Sequence, residues 1–168
     1  MGERIFQTCQ HEMLTHRQLM LTEFRMAPEV VMTCAKEIDQ FCSPRGDIEA
    51  EGRTLHCLME HAQARDEAKK IGNECMQALS AVVKTADIGS NYKVDKVLYA
   101  SCRPLIDGPC ASDSQSEAAT LSCLMKNVDS PQMPAECEKR LLEVQYFFAR
   151  DWSLDPQLYE ACHSEAVS

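Results

Sequence analysis

Ten of the 168 residues are cysteine: Cys9, Cys34, Cys42, Cys57, Cys75, Cys102, Cys110, Cys123, Cys137 and Cys162. Thiols in an even number at this density read as a disulfide framework assembled in an oxidising compartment. A structural metal needs tighter spacing, and no C-x2-C or C-x4-C knuckle occurs. The histidines do not replace it. His56 and His61 flank Cys57, and His11 and His16 follow Cys9, but each pair is five apart, which turns the second ring about 140° around a helix. A helical zinc pair wants a spacing of four. A catalytic cysteine should break the repeating pattern to which each of these belongs, and none does. The chain therefore reads as non-enzymatic, with no cofactor. One short motif could carry adhesion instead: Arg45-Gly46-Asp47 spells the integrin-binding tripeptide between Cys42 and Cys57, where the second repeat has Ala111-Ser112-Asp113. The plainer reading of that stretch is a glycine-containing turn with Asp47 near a helix N-terminus.

The cysteines are positioned by a repeat. EGRTLHCLME, from Glu51 to Glu60, agrees at six of ten positions with EAATLSCLMK, from Glu117 to Lys126. Seven residues separate Cys34 from Cys42 and seven separate Cys102 from Cys110. Cys75 and Cys137 complete two sets of four, each followed four residues later by a leucine, Leu79 or Leu141. Counting from the first cysteine of each set gives repeats over 34–101 and 102–161, the end of a preceding unit over 1–33, and the start of a following one over 162–168. Such a pattern predicts an array rather than a single globule.

The segments between cysteines have helical period. Ile71, Cys75, Leu79, Val82, Val83 and Ala86 fall on one face, as do Cys137, Leu141, Val144 and Phe148. Pro28 and Pro156 mark first helical turns, with Ser153 or Asp155 available to cap. No segment alternates cleanly enough to be a strand, so the fold class is all-α. If a turn over Asp87 to Asn91 returned the chain, Cys75 and Cys102 would stand level on antiparallel helices. That arrangement predicts stapled hairpins closed by Cys9–Cys34, Cys75–Cys102 and Cys137–Cys162, with Cys42–Cys57 and Cys110–Cys123 closing shorter turns. The competing scheme, Cys34–Cys75 with Cys102–Cys137, leaves Cys9 and Cys162 unpaired. Spacing alone leaves both open.

Composition sets the partner class. The formal charge of -9 and a sequence pI near 5.0 argue against a phosphate-binding surface and favour a basic partner. Acidic stretches such as Glu136-Cys137-Glu138 and Asp66-Glu67 read as solvated helix faces. Tyr146-Phe147-Phe148 with Trp152 reads as core and repeat-to-repeat packing. The start MGERIFQTCQ has no apolar run of the signal-peptide kind, so a fragment of a longer secretory protein is expected.

The C-x7-C spacing, the Cys-Leu-Met phrase at Cys57 and Cys123, and the Leu-Tyr-x-x-Cys run-in at Leu98–Cys102 and Leu158–Cys162 resemble the cysteine-rich repeats of the Golgi apparatus protein 1 family. Its members are also called E-selectin ligand and cysteine-rich fibroblast growth factor receptor. The resemblance covers essentially the whole chain, although RMAPEVVMTC before Cys34 lacks the Leu-Tyr pair. It implies a luminal piece of a type I Golgi membrane glycoprotein, some of which reaches the cell surface. The implied partners are fibroblast growth factors, latent transforming growth factor beta and, through glycans, E-selectin. Asn73, Asn91 and Asn127 all lack the N-x-[ST] acceptor pattern, so N-glycans for a selectin are not expected on this stretch.

Overall fold

The computed structural model describes residues 2–43, 51–113 and 116–166, and among these every regular element is helical. Along the chain come α1 (Gly2–Thr22), α2 (Pro28–Thr33), a short α3 (Ala35–Glu37) that runs into a π turn (Ile38–Cys42), and α4 (Arg53–Ala62). They are followed by α5 (Asn73–Ala86), α6 (Lys96–Ile106), α7 (Glu117–Lys126), α8 (Ala135–Phe148) and α9 (Pro156–Ala166). No helix among the described residues is long and apolar enough to cross a membrane.

Three kinds of helix recur in a fixed cycle. Leading helices α2, α6 and α9 carry or abut Cys34, Cys102 and Cys162, middle helices α4 and α7 carry Cys57 and Cys123, and closing helices α1, α5 and α8 carry Cys9, Cys75 and Cys137. A single 3-10 turn joins each closing helix to the next leading one, over Phe24–Met26, Tyr92–Val94 and Trp152–Leu154. Local chemistry shapes the later two turns alike. Asn91 and Asp151 accept from the amides of Lys93 and Ser153, and four residues on, Asp95 and Asp155 cap α6 and α9 by accepting two backbone amides each. Asp155, not Ser153, is therefore the cap of α9. Pro28 and Pro156 occupy first turns, where no amide is missed.

The middle helices start differently. Ser116 caps α7 by accepting from the amide of Ala119, whereas Gly52 precedes α4 at φ 85°. A side chain on Gly52 would meet the Leu21 carbonyl at 2.9 Å, so both space and backbone angle call for glycine there.

Leading helices pack onto closing helices, α2 on α5 and α6 on α8, and the disulfides follow that packing. Cys34 bonds Cys75 and Cys102 bonds Cys137, while Cys42 bonds Cys57 and Cys110 bonds Cys123. The two short pairs are those expected from spacing. The hairpin pairs Cys9–Cys34, Cys75–Cys102 and Cys137–Cys162 do not form, and Cys9 and Cys162 are unpaired. The physical reason lies in the connection after α5. It is not a tight solvent-facing turn, because Ile88, Tyr92 and Val94 are buried within it. Anchored in the core, it directs α6 onto α8 instead of back along α5, and α6 continues past Cys102 to Ile106. Each loop closed by a bond stabilises by about 3 kcal/mol in the chain-entropy estimate.

A continuous apolar core runs along these joints, including Val30, Leu58, Leu79, Leu98, Leu124 and Leu141, none of which shows surface. The aromatic group divides. Phe147 is buried and Tyr146 and Phe148 are half-buried, but Trp152 is 41% exposed and stacks on Tyr159 at 5.4 Å, contrary to the expected core role.

Candidate binding groove and its buried charged support

An open hollow of about 740 Å³ runs between the C-terminal end of α1, the start of α4, α6 and the start of α8. Leu19, Thr22, Val97, Ala100 and Ser101 form its floor and walls. Glu23, Glu51 and Glu136 line it with negative charge, against Arg53 and Lys96. Arg53 reaches Glu51 at 3.2 Å across the rim.

Beneath the groove lies a buried polar knot. His56, from α4, is 5% exposed, Asp95, the cap of α6, is 2% exposed, and Glu143, on α8, shows no surface. His56 Nδ1 lies 2.6 Å from Glu143 Oε2, and His56 Nε2 lies 2.9 Å from Asp95 Oδ1. Both neighbours are carboxylates that only accept, so both ring nitrogens donate and the imidazole is an imidazolium. Arg140 donates to both oxygens of Glu143, at 2.8 and 2.9 Å, and to Glu136 at the groove. Two cations thus face two buried carboxylates, with Glu136 connecting the set to solvent.

The protonation states follow from the geometry. Burial alone would push His56 down, but the Asp95 charge and hydrogen bond, joined by those of Glu143, outweigh it and raise the pKa from 6.5 to about 9. Burial would likewise push Asp95 up. The imidazolium and the amides of Leu98 and Val97 hold it below the usual carboxylate range instead. A fully satisfied buried network of this kind fixes geometry more surely than it adds stability. It ties α4, α6 and α8 together at the groove's base, and a surface pair between Lys139 and Glu60 at 2.7 Å adds a second link between α4 and α8.

What this arrangement does is hold shape. An imidazolium with both N–H groups engaged offers no lone pair for proton abstraction. His61 turns away from His56, stacking on Phe41 at 4.4 Å and placing Nδ1 2.6 Å from the Lys69 carbonyl. His11 and His16 are exposed on α1. Asp66 caps the turn over Glu67–Lys69, and Glu138 faces solvent. Arg45-Gly46-Asp47 lies outside the described residues. Sequence reasoning considered His56 only for a metal or catalytic role and missed Asp95, Arg140 and Glu143. One signal was present: the repeated phrase reads Leu-His-Cys-Leu-Met in one copy and Leu-Ser-Cys-Leu-Met in the other, placing a titratable ring at a position that is otherwise small.

Comparison with known proteins gives a consistent picture. A family model described as a cysteine-rich repeat matches residues 7–66, 73–132 and 135–168, starting each unit just ahead of Cys9, Cys75 or Cys137. A Golgi apparatus protein 1 homolog of Caenorhabditis elegans is 74% identical over 160 residues, covering 95% of this chain and 14% of that protein. Golgi apparatus protein 1 of Homo sapiens is 38% identical over 165 residues, covering 98% of this chain and 14% of its own length, and the Gallus gallus protein matches to the same extent. The chain therefore spans about one-seventh of these relatives. No solved structure matches it.

Proposed function

The chain belongs to the cysteine-rich repeat family, and from that premise we propose that it is a non-enzymatic binding module in the luminal part of a Golgi glycoprotein, offering a groove to a basic secreted protein of the fibroblast growth factor class. The observation that carries this reading is the groove between α1, α4, α6 and α8, set over a buried charged knot, with α6 cross-linked to α8 and α4 cross-linked through Cys57. Three carboxylates against two cations give its lining a negative excess, and the chain as a whole carries -9. Cross-linked helices lose little freedom on binding, which favours affinity, while complementary charge mainly accelerates encounter. The relatives' names place those proteins in the Golgi apparatus, and the disulfides suit the oxidising lumen of the secretory pathway.

Binding to an immobilised basic fibroblast growth factor tests it. Raising salt to about 0.5 M, where the screening length falls to about 4 Å, should weaken binding about tenfold, mainly through a slower on-rate. Glu23→Lys combined with Glu51→Lys should have the same kinetic signature at low salt. Binding insensitive both to salt and to this double substitution would remove the groove and its charge from the account.

A further inference from the structure

Among the described residues, three of the four disulfides are sealed from solvent and one is not. Cys34, Cys75, Cys102, Cys110 and Cys137 show 1% of their surface or less and Cys123 shows 7%, whereas Cys42 and Cys57 are both half-buried. The pair lies well inside the chain, since α4 is flanked by α1, α5, α8 and the π turn over Ile38–Cys42. The contrast with its counterpart, Cys110–Cys123, has a local cause. Four residues after Cys123, Asn127 sends its side-chain amide back to the Cys123 carbonyl at 2.8 Å and to Cys123 Sγ at 3.6 Å. His61 holds the same place after Cys57, but its ring stacks on Phe41 and its Nδ1 meets the Lys69 carbonyl, which leaves that cover off Cys57. What the bond holds is equally specific. It clamps Cys42, the last residue of the π turn, to α4, whose start carries Arg53 of the groove and, just ahead of it, Glu51. The helix has other anchors: Leu55, Leu58, Met59 and Ala62 in the core, and His56 in the charged knot.

We infer that Cys42–Cys57 is a site of thiol–disulfide exchange that takes a dithiol as its reaction partner, and that opening it loosens the α4 rim of the groove while the other three bonds keep the fold. Access decides which disulfide an incoming thiolate attacks, and here access separates one bond from three. A thiolate of the dithiol attacks one sulfur of the pair. The Cys42–Cys57 bond breaks, a mixed disulfide forms, and the displaced sulfur leaves as a thiolate that takes up a proton. The second thiol of the dithiol then loses its proton and attacks the mixed disulfide, releasing the remaining cysteine. Two electrons and two protons pass to Cys42 and Cys57, and the dithiol ends as a disulfide. With the clamp gone, the start of α4 is held only by its own turn, while its later residues stay fixed in the core and the knot. The consequence for a basic ligand rests on the reading of the groove given above; the exchange itself does not.

The experiment blocks Cys9 and Cys162 of the intact chain with N-ethylmaleimide, then applies dithiothreitol under native conditions. Samples are labelled over time with iodoacetamide and mapped by peptide mass. The expected result is label at Cys42 and Cys57 together, about tenfold sooner than at any other cysteine, with helicity retained. Amide exchange in the opened chain should be about tenfold faster over residues 53–56 and unchanged in α5 and α8. A double variant, Cys42→Ser with Cys57→Ser, should keep the other three bonds and show the same exchange pattern without any reductant. Opening of all four bonds at one rate, or of Cys110–Cys123 first, would overturn the inference. So would unaltered exchange at the start of α4, or loss of helicity in the double variant. No readout uses a growth factor, so failure here and failure of growth-factor binding are told apart directly.

Discussion

The middle helices α4 and α7 hold the same station in two successive repeats, yet their polar positions have opposite fates. Around α4, His56 is enclosed by Asp95 and Glu143 and all its hydrogen-bonding capacity is used. Around α7, Ser122 stands for His56 and Asp155 for Asp95, and between them is an open hollow of about 270 Å³. The two phrases agree at six of ten positions, and both caps are aspartates, Asp95 and Asp155. What separates them is the third partner: α8 closes the first station with Glu143 and Arg140, whereas the described residues bordering the second include Gln145 and Phe148 and no such charged pair. A charged interior is therefore a property of a joint between three helices, not of any one repeat.

The largest effect should come from breaking the closed station. Glu143→Ala leaves a buried imidazolium and Arg140 facing a single carboxylate in the interior, and should cost about 3–5 kcal/mol, measured as a lower urea midpoint at unchanged slope. A loss of under about 1 kcal/mol would mean that the station is wet or mobile.

A second measurement sharpens the contrast through pH. His56 has its folded pKa raised from 6.5 to about 9, so its stabilising contribution is complete below 6.5 and is lost as pH rises through about 9. Unfolding free energy should fall by roughly 3 kcal/mol across that window. An imidazole nitrogen spectrum should show both nitrogens protonated at pH 7. A flat stability profile there, or a neutral ring, would refute the imidazolium. Ser122 gives the open station no corresponding titration.

The third prediction breaks the open station. A side chain on Gly89 would collide with the Leu154 carbonyl and approach Pro156 Cδ at 2.8 Å, so the turn after α5 and the start of α9 fit only around glycine. Gly89→Ala should cost about 1–3 kcal/mol by forcing backbone apart, with the loss seen as faster amide exchange at α9 before the rest. Uniform exchange across α4 and α9 would show that the stations are not separable.

Much of this molecule was legible before any coordinates. Cysteine density dictated a cross-linked framework, because so many thiols in one small chain are otherwise unexplained. The helical period of Ile71, Cys75 and Leu79 dictated the element type, and Pro28, Pro156 and a capping Ser153 or Asp155 marked where helices begin, since these are effects of one residue on its own backbone. The repeat and the two short disulfides followed from spacing. The long disulfides were decided by tertiary structure. Two pairings satisfied the spacing, and the choice fell to the buried residues Ile88, Tyr92 and Val94, which aim α6 at α8. The knot was decided in the same way. His56, Asp95 and Glu143 lie 39 and 87 residues from one another in the pairs that bond, and no local preference connects them. Sequence by itself determined the parts and their order because those depend on short-range forces. Only packing determined which part meets which, because burial and charge pairing act between residues that the chain keeps far apart.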